Sequence, residues 1–245
     1  MARNVDYTTR RKAVLAAAID RYIKDAQPVA SEDIAKEFNL SSATIRNIFA
    51  ELEEEGYLTH PHTSGGRIPT NKGYRYYVDF LVSEMELLDE EKECILQGYK
   101  REIRKLEDAL EETSELISAV TRYAGIVSFL EWQDKLFYRG ITRILEHPEF
   151  HDFEKIKLLL KIIEDKRCLL DIINRDLDDK IKVYIGQELG CPEMENCSLV
   201  ISGYRIHNRL SGRLAVLGPQ RMEYSHIIPA LEYISEVLTT VLGKI

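Results

Sequence analysis

Leu40–Tyr77 reads LSSATIRNIFAELEEEGYLTHPHTSGGRIPTNKGYRYY, and its first half repeats with the period of a helix. Ile45, Ile48, Phe49 and Leu52 fall on one helical face, while Ala43, Asn47, Ala50 and Glu54 centre the opposite one, flanked by Thr44 and Arg46. Ser41 or Ser42 is placed to cap the start, and Gly56 to stop the helix after Glu55. Beyond Gly56, Tyr57–Thr59 and Arg67–Pro69 have the residues of two short strands around the tip HPHTSGG, because Ser-Gly-Gly is a turn signal. Thr70 then caps a helix through NKGYRYYVDFLV.

Upstream, TTRRKAVLAAAIDRYIKDAQPVA predicts a helix capped by Thr8 or Thr9 and stopped by Pro28; a shorter one follows with Ser31 as N-cap. Three helices and a two-stranded ribbon are the order of a winged helix-turn-helix. Downstream, Glu84–Thr121 is charge-rich, with Leu88, Ile95, Tyr99, Leu106, Leu110, Ile117 and Val120 spaced as the seam of one connecting helix, used either for packing within the chain or for self-association. The remainder alternates strand-like segments (AGIVSFL, DKLFYRG, KIKVYIGQE, CSLVISGYRI, GRLAVLGP) with a helical stretch from ITRILEHPEF to DIINRD, and closes on an amphipathic helix, MEYSHIIPALEYISEVLTTVL. The fold class expected is multi-domain α+β. Its divisions are a winged-helix domain over 1–83, a connecting helix over 84–122 and an α+β domain over 123–245.

Charge is distributed unevenly over these parts. The 245-residue chain has a formal net charge of −8, yet residues 1–80 hold 11 basic and 11 acidic side chains, so the deficit belongs to the rest. Acids are absent from Phe38–Ala50 and again from Gly56–Val78. DNA is a rod of negative charge, so a helix entering its major groove must be free of acids at the end that goes in. The helix beginning at Ser42 is acid-free for two turns and then carries Glu51, Glu53, Glu54 and Glu55. Its N-terminal half is the end suited to bases. Ser42 and Thr44 supply hydroxyls there, Ala43 and Ala50 permit close approach, Asn47 can pair with adenine, and Arg46 can reach guanine or phosphate. In the ribbon, His62, Thr63, Ser64 and Arg67 suit phosphate or the minor groove, and Lys72 and Arg75 extend that path.

SSATIRN, AELEEEGYL and PHTSGGRIPTNKGYRYYVD, followed in order by GIV, FYRGITRILEHPEF, VYIGQE, CSLV and GPQRMEY, resemble the heat-inducible transcription repressor family, HrcA. The resemblance covers most of the chain outside the charged connecting helix. It implies a winged-helix DNA-binding domain followed by a GAF-like domain. It also implies dimers on an inverted repeat upstream of chaperone operons, and a chaperonin that supports the active state until heat diverts it. Double-stranded DNA, a second copy of the chain and the chaperonin are thus the implied partners. Ser42, Thr44, Arg46 and Asn47 would lie on the operator-reading helix and Thr63, Ser64, Arg67 and Lys72 in or beside the wing. Gly66 stands where the family usually has Ala, and Ile48-Phe49 replaces a more polar pair. Only nine residues separate GIV (Gly125–Val127) from FYRG (Phe137–Gly140), where family members carry a long segment, so a pared-down GAF-like domain is expected.

Other functions leave little trace. GxSxG, GxGxxG and P-loop patterns are absent, and the four cysteines form no CxxC pair, so no enzyme, cofactor or metal site and no disulfide frame is expected. His147 and His151 stand four apart around Glu149, but Pro148 fits the first turn of a helix with surface side chains better than a metal site. No run of about 18 apolar residues appears, and MARNVDYTTRRK lacks a signal-peptide core, which points to a cytoplasmic chain without a membrane partner. Two alternatives stay open: a regulator of other genes whose GAF-like domain senses a small ligand, and a winged helix used for protein contacts.

Overall fold

The computed structural model describes residues 2–61, 66–81, 87–99, 106–132, 135–176 and 180–244, without the side chains of residues 2–6 and of Leu81. The chain divides into two compact units, Met1–Glu84 and Met85–Ile245.

The first unit runs α1 (Ala2–Asp25), α2 (Ser31–Phe38), α3 (Ser42–Glu54), β1 (Leu58–Thr59), β2 (Ile68–Pro69) and α4 (Asn71–Leu81). Its core joins Val14, Leu15, Ala18 and Ile19 of α1 to Ile34 of α2, and to Ile45, Ile48, Phe49 and Leu52 of α3. The start of α1 differs from expectation: the helix begins at Ala2, and Thr8 and Thr9 are exposed residues within it. No proline or glycine precedes them to break the helix. Ser31 is likewise the first helical residue rather than the cap; Ala30 holds the N-cap without a side-chain bond. Asn39, at φ 51°, closes α2 in the left-handed region. Gly56, at φ 77°, turns the chain out of α3, a conformation that costs a residue with a Cβ.

The second unit contains α5 (Asp89–Gly98), α6 (Leu106–Thr121), β3 (Ala124–Phe129), β4 (Leu136–Arg139), α7 (Ile141–Leu145), α8 (Phe153–Glu164), α9 (Lys166–Ile173), β5 (Lys182–Ile185), β6 (Cys197–Ile206), β7 (Arg209–Pro219) and α10 (Tyr224–Leu242). Single 3-10 turns occupy Pro148–Phe150, Gly186–Leu189 and Pro192–Met194. The segment expected as one connecting helix is represented among the described residues by two helices, and part of its seam is covered within this unit, while Leu88 is 68% exposed. Ile95, Tyr99, Leu110 and Ile117 are buried, and the Tyr99 hydroxyl meets Thr113 Oγ1 at 2.7 Å.

All strand pairings in the second unit are antiparallel, in the order β4-β3-β7-β6-β5. Helices α6 and α10 pack on one face of the sheet, and the cluster built on Ile144, Leu159, Ile162, Leu169 and Ile173 covers the other. Burial on both faces explains why β3, β6 and β7 carry runs of buried residues rather than an alternation. His207 and Asn208, both at positive φ, make the tight β6–β7 turn, as the right-handed twist of a hairpin favours. Despite the short spacing between them, β3 and β4 pair antiparallel from Gly125 with Arg139 to Ser128 with Leu136.

Candidate nucleic-acid interface

Ser41 caps α3: its Oγ accepts the Thr44 N–H at 3.1 Å and lies 2.8 Å from Thr44 Oγ1. With Ile45, Ile48, Phe49 and Leu52 buried, the helix turns Ala43, Arg46, Asn47 and Ala50 outward as one exposed strip, with Ser42 and Thr44 half-buried at its start. Arg46 and Asn47 make no side-chain hydrogen bond or ion pair among the described residues. Their donors and acceptors face solvent, available to the groove of a duplex.

The acids that follow are less repulsive to DNA than their number implies. Arg11 of α1 donates to both Glu55 carboxylate oxygens, at 2.7 and 3.0 Å, and lies 3.7 Å from Glu51. Tyr7 donates to Glu51 at 2.8 Å, and that bond raises the phenol's pKa. Glu53 holds His60 Nδ1 at 2.7 Å through one oxygen and approaches Arg67 Nε at 2.9 Å through the other. The latter contact is an ion pair that does not meet hydrogen-bond geometry. The His60 hydrogen bond, then the Arg67 charge, hold the Glu53 carboxyl below the usual carboxylate range, against an opposing effect of burial. Glu51, Glu53 and Glu55 thus each have a partner within the unit, with Arg11 shared between Glu51 and Glu55, and Glu54 stands exposed beside them. The sequence could not announce these pairings, because Tyr7 and Arg11 meet Glu51 and Glu55 at a separation of 44 residues.

The wing is fastened at its base. Besides the Leu58–Pro69 and Thr59–Ile68 pairs, Val29 and Arg67 exchange backbone hydrogen bonds of 2.8 and 2.9 Å, adding the α1–α2 loop as a third edge. A Cβ on Gly66 would lie 2.7 Å from the Pro28 carbonyl carbon, so glycine suits this close approach. Arg67 has partners within the unit. Its side chain is 11% exposed and its Nη1 meets His60 Nε2, which turns the guanidinium toward α3. His62, Thr63 and Ser64 lie outside the described residues.

Lys72 and Arg75 stand beyond the wing with partners of their own. Lys72 Nζ donates to the Glu55 carbonyl at 2.7 Å and sits 4.6 Å from the Tyr57 ring centre, placing a cation at the C-terminal end of α3. Arg75 pairs with Asp79 at 3.2 Å, one turn along α4. Thr70 caps α4 as its position predicts, accepting the Gly73 N–H at 3.1 Å while donating to the Gly56 carbonyl at 2.6 Å.

In the second unit, His147 stacks on Tyr123, with ring centres 5.2 Å apart, and its Nδ1 lies 3.3 Å from Arg221 Nη2. Burial first, and the Arg221 charge second, lower its pKa. Glu149 pairs with Arg221, and Pro148 opens the 3-10 turn, so these residues tie that turn to the segment before α10. His151 is exposed.

Comparison with known proteins agrees with this geometry. The model of the winged helix-turn-helix DNA-binding domain of the HrcA transcription repressors matches residues 6–79, and that of the HrcA C-terminal domain matches residues 128–228. The heat-inducible transcription repressor HrcA of Pelotomaculum thermopropionicum is 30% identical over an alignment covering 96% of this chain and 97% of that protein. That of Carboxydothermus hydrogenoformans is 29% identical, covering 96% and 98%. The first alignment runs over 337 positions against a chain of 245 residues, so at least 92 of them have no counterpart here. A solved structure described as a hypothetical protein superimposes with a TM-score of 0.80 at 20% identity, covering 96% of this chain and 98% of that one, and shares its fold.

Proposed function

We propose, from the premise that this chain belongs to the HrcA family of heat-inducible transcription repressors, that it silences chaperone genes by binding their operator DNA as a dimer. The observation that carries this reading is the exposed strip Ala43, Arg46, Asn47 and Ala50 on the acid-free half of α3. The helix is held rigidly from behind by four buried apolar side chains and has most of its later acids paired. Arg46 and Asn47 contact base edges, Ala43 and Ala50 approach thymine methyls, and Ser42 and Thr44 contact the backbone at the helix start. His62, Thr63 and Ser64, which follow β1 in the sequence, contact the neighbouring phosphates, with Arg75 alongside. Arg67 and Lys72 position the wing and α3.

Two such units related by a two-fold axis read an inverted repeat by geometry, without catalysis. The chain thus acts as a regulator in the cytoplasm, its repression sustained by chaperonin and relieved by heat. The test is fluorescence anisotropy of the intact chain on the inverted repeat upstream of its own genome's chaperonin operon. A scrambled duplex serves as control, across a salt series, with and without chaperonin. Binding by two protomers, tighter than to scrambled DNA by at least roughly a thousandfold, is the expected result. Equal, weak binding to both duplexes would remove the operator from this reading, and no effect of chaperonin would remove that partner.

A further inference from the structure

Cys168 and Cys191 are separated by 23 residues and form no recognisable motif, yet the fold sets their sulfurs 3.6 Å apart. Cys168 lies on α9, whose Leu169, Leu170, Ile172 and Ile173 are buried, and Cys191 leads into the Pro192–Met194 turn. Both cysteines are half-buried at the margin of the same apolar cluster, within reach of small solutes. The other two thiols differ. Cys94 is exposed on α5, and Cys197 is buried on β6, where burial pushes its thiol up to about 12.

We propose that Cys168 and Cys191 form a redox site, which a hydroperoxide oxidises to a disulfide fastening α9 to the segment before Pro192. The surroundings assign the two sulfurs different parts. Cys191 Sγ donates to Glu193 Oε2 at 3.2 Å, and burial followed by that bond pushes its thiol up to about 12, keeping it protonated. The Glu193 carboxylate beside Cys191 disfavours a thiolate there, which leaves the first reaction to Cys168. With hydrogen peroxide, the Cys168 sulfur takes one oxygen as the peroxide O–O bond breaks, giving a sulfenic acid and one water. Cys191 sulfur then attacks the Cys168 sulfur: the S–S bond forms, the S–O bond breaks, and the hydroxyl leaves with the Cys191 proton as a second water. Two thiols lose two electrons and one peroxide gains them. The bond closes residues 168–191 into a loop that contains the edge strand β5, restricting the unfolded chain and raising thermal stability.

The experiment uses the full chain carrying Cys94→Ser, which removes the exposed competitor, treated with excess hydrogen peroxide while folded. Expected are a mass lower by two hydrogens, a non-reducing peptide map joining Cys168 to Cys191, and an unfolding midpoint higher by roughly 10 °C. Dithiothreitol should reverse all three. Adding Cys191→Ser should instead trap oxygen on Cys168, and adding Cys168→Ser should leave Cys191 reduced. The proposal is overturned if both thiols survive peroxide in the folded chain, if the link forms only after unfolding in denaturant, if it joins a different pair, or if the linked protein is no more heat-stable.

Discussion

Glu53→Ala removes the carboxylate that joins α3 to the wing, and the effect follows from how far its partners are withdrawn from water. An exposed ion pair contributes about 0.2–1 kcal/mol. Removing one member of a fully buried pair costs about 3–5 kcal/mol, because a charge is left without compensation. With Arg67 11% exposed and Glu53 31%, the loss falls between these limits, at about 2 kcal/mol. The Val29 and Arg67 amides, hydrogen-bonded to each other's carbonyls, report opening of the wing base. Since each 1.4 kcal/mol is roughly a factor of ten, these amides should exchange about thirtyfold faster in the variant. Hydrogen exchange read by mass spectrometry on the intact chain measures this directly. Glu54→Ala, which removes the exposed neighbouring acid, is the control and should change exchange by less than about threefold. The sign with pH is also fixed. The folded Glu53 carboxyl titrates below its unfolded value, so its stabilisation is complete above the unfolded carboxylate pKa and is lost as pH falls through the folded one. The difference between wild type and variant should therefore close in acid. Equal exchange at Val29 and Arg67 in both proteins at neutral pH would refute the reasoning.

Arg46→Ala and Asn47→Ala should each weaken operator binding by ~1–3 kcal/mol in anisotropy titrations while leaving the unfolding midpoint unchanged. If Arg46 reads a base, its loss relaxes preference at one operator position; uniform weakening across sequences assigns it to phosphate. Lys72→Met should lower stability by about 1 kcal/mol in denaturant titrations through loss of the Glu55 carbonyl contact, and leave the salt slope of DNA binding unaltered. Gly125→Ala sets a Cβ 2.4 Å from the Ser114 carbonyl oxygen and 2.8 Å from Ile117 Cβ. It should destabilise the second unit by ~1–3 kcal/mol, detected through Trp132 fluorescence. The depressed pKa of His147 makes the unfolded state the stronger proton binder, so stability should fall as pH drops from the unfolded histidine pKa through the folded one. His147→Phe should flatten that slope in thermal melts.

Local regularities made much of this protein legible. The Ile45–Leu52 period placed α3 and also defined its outward face, because one helical face cannot be buried without turning the other to solvent. Ser41 and Gly56 marked boundaries through bonds and dihedrals within a few residues of themselves. The runs of β3, β6 and β7 are apolar enough to be recognised as strands even though both faces are buried. The start of α1 was misread because a competent cap residue such as Thr8 caps only if the chain before it is not already helical.

What the sequence by itself determined, then, was the order of elements, the outward strip of α3 and the family. What only the tertiary structure decided was which partners the charges meet. Arg67, Lys72 and Arg75 looked alike as wing cations, yet the fold sets Arg67 against Glu53 and His60, Lys72 at the end of α3, and Arg75 beside Asp79. Tyr7 and Arg11 reach Glu51 and Glu55, and Cys168 reaches Cys191, only through the packing of elements far apart in the chain. The physical reason is range: helical periods and caps act over a few residues, whereas ion pairs and thiol contacts depend on distances of a few ångströms between side chains that only the packed fold brings together.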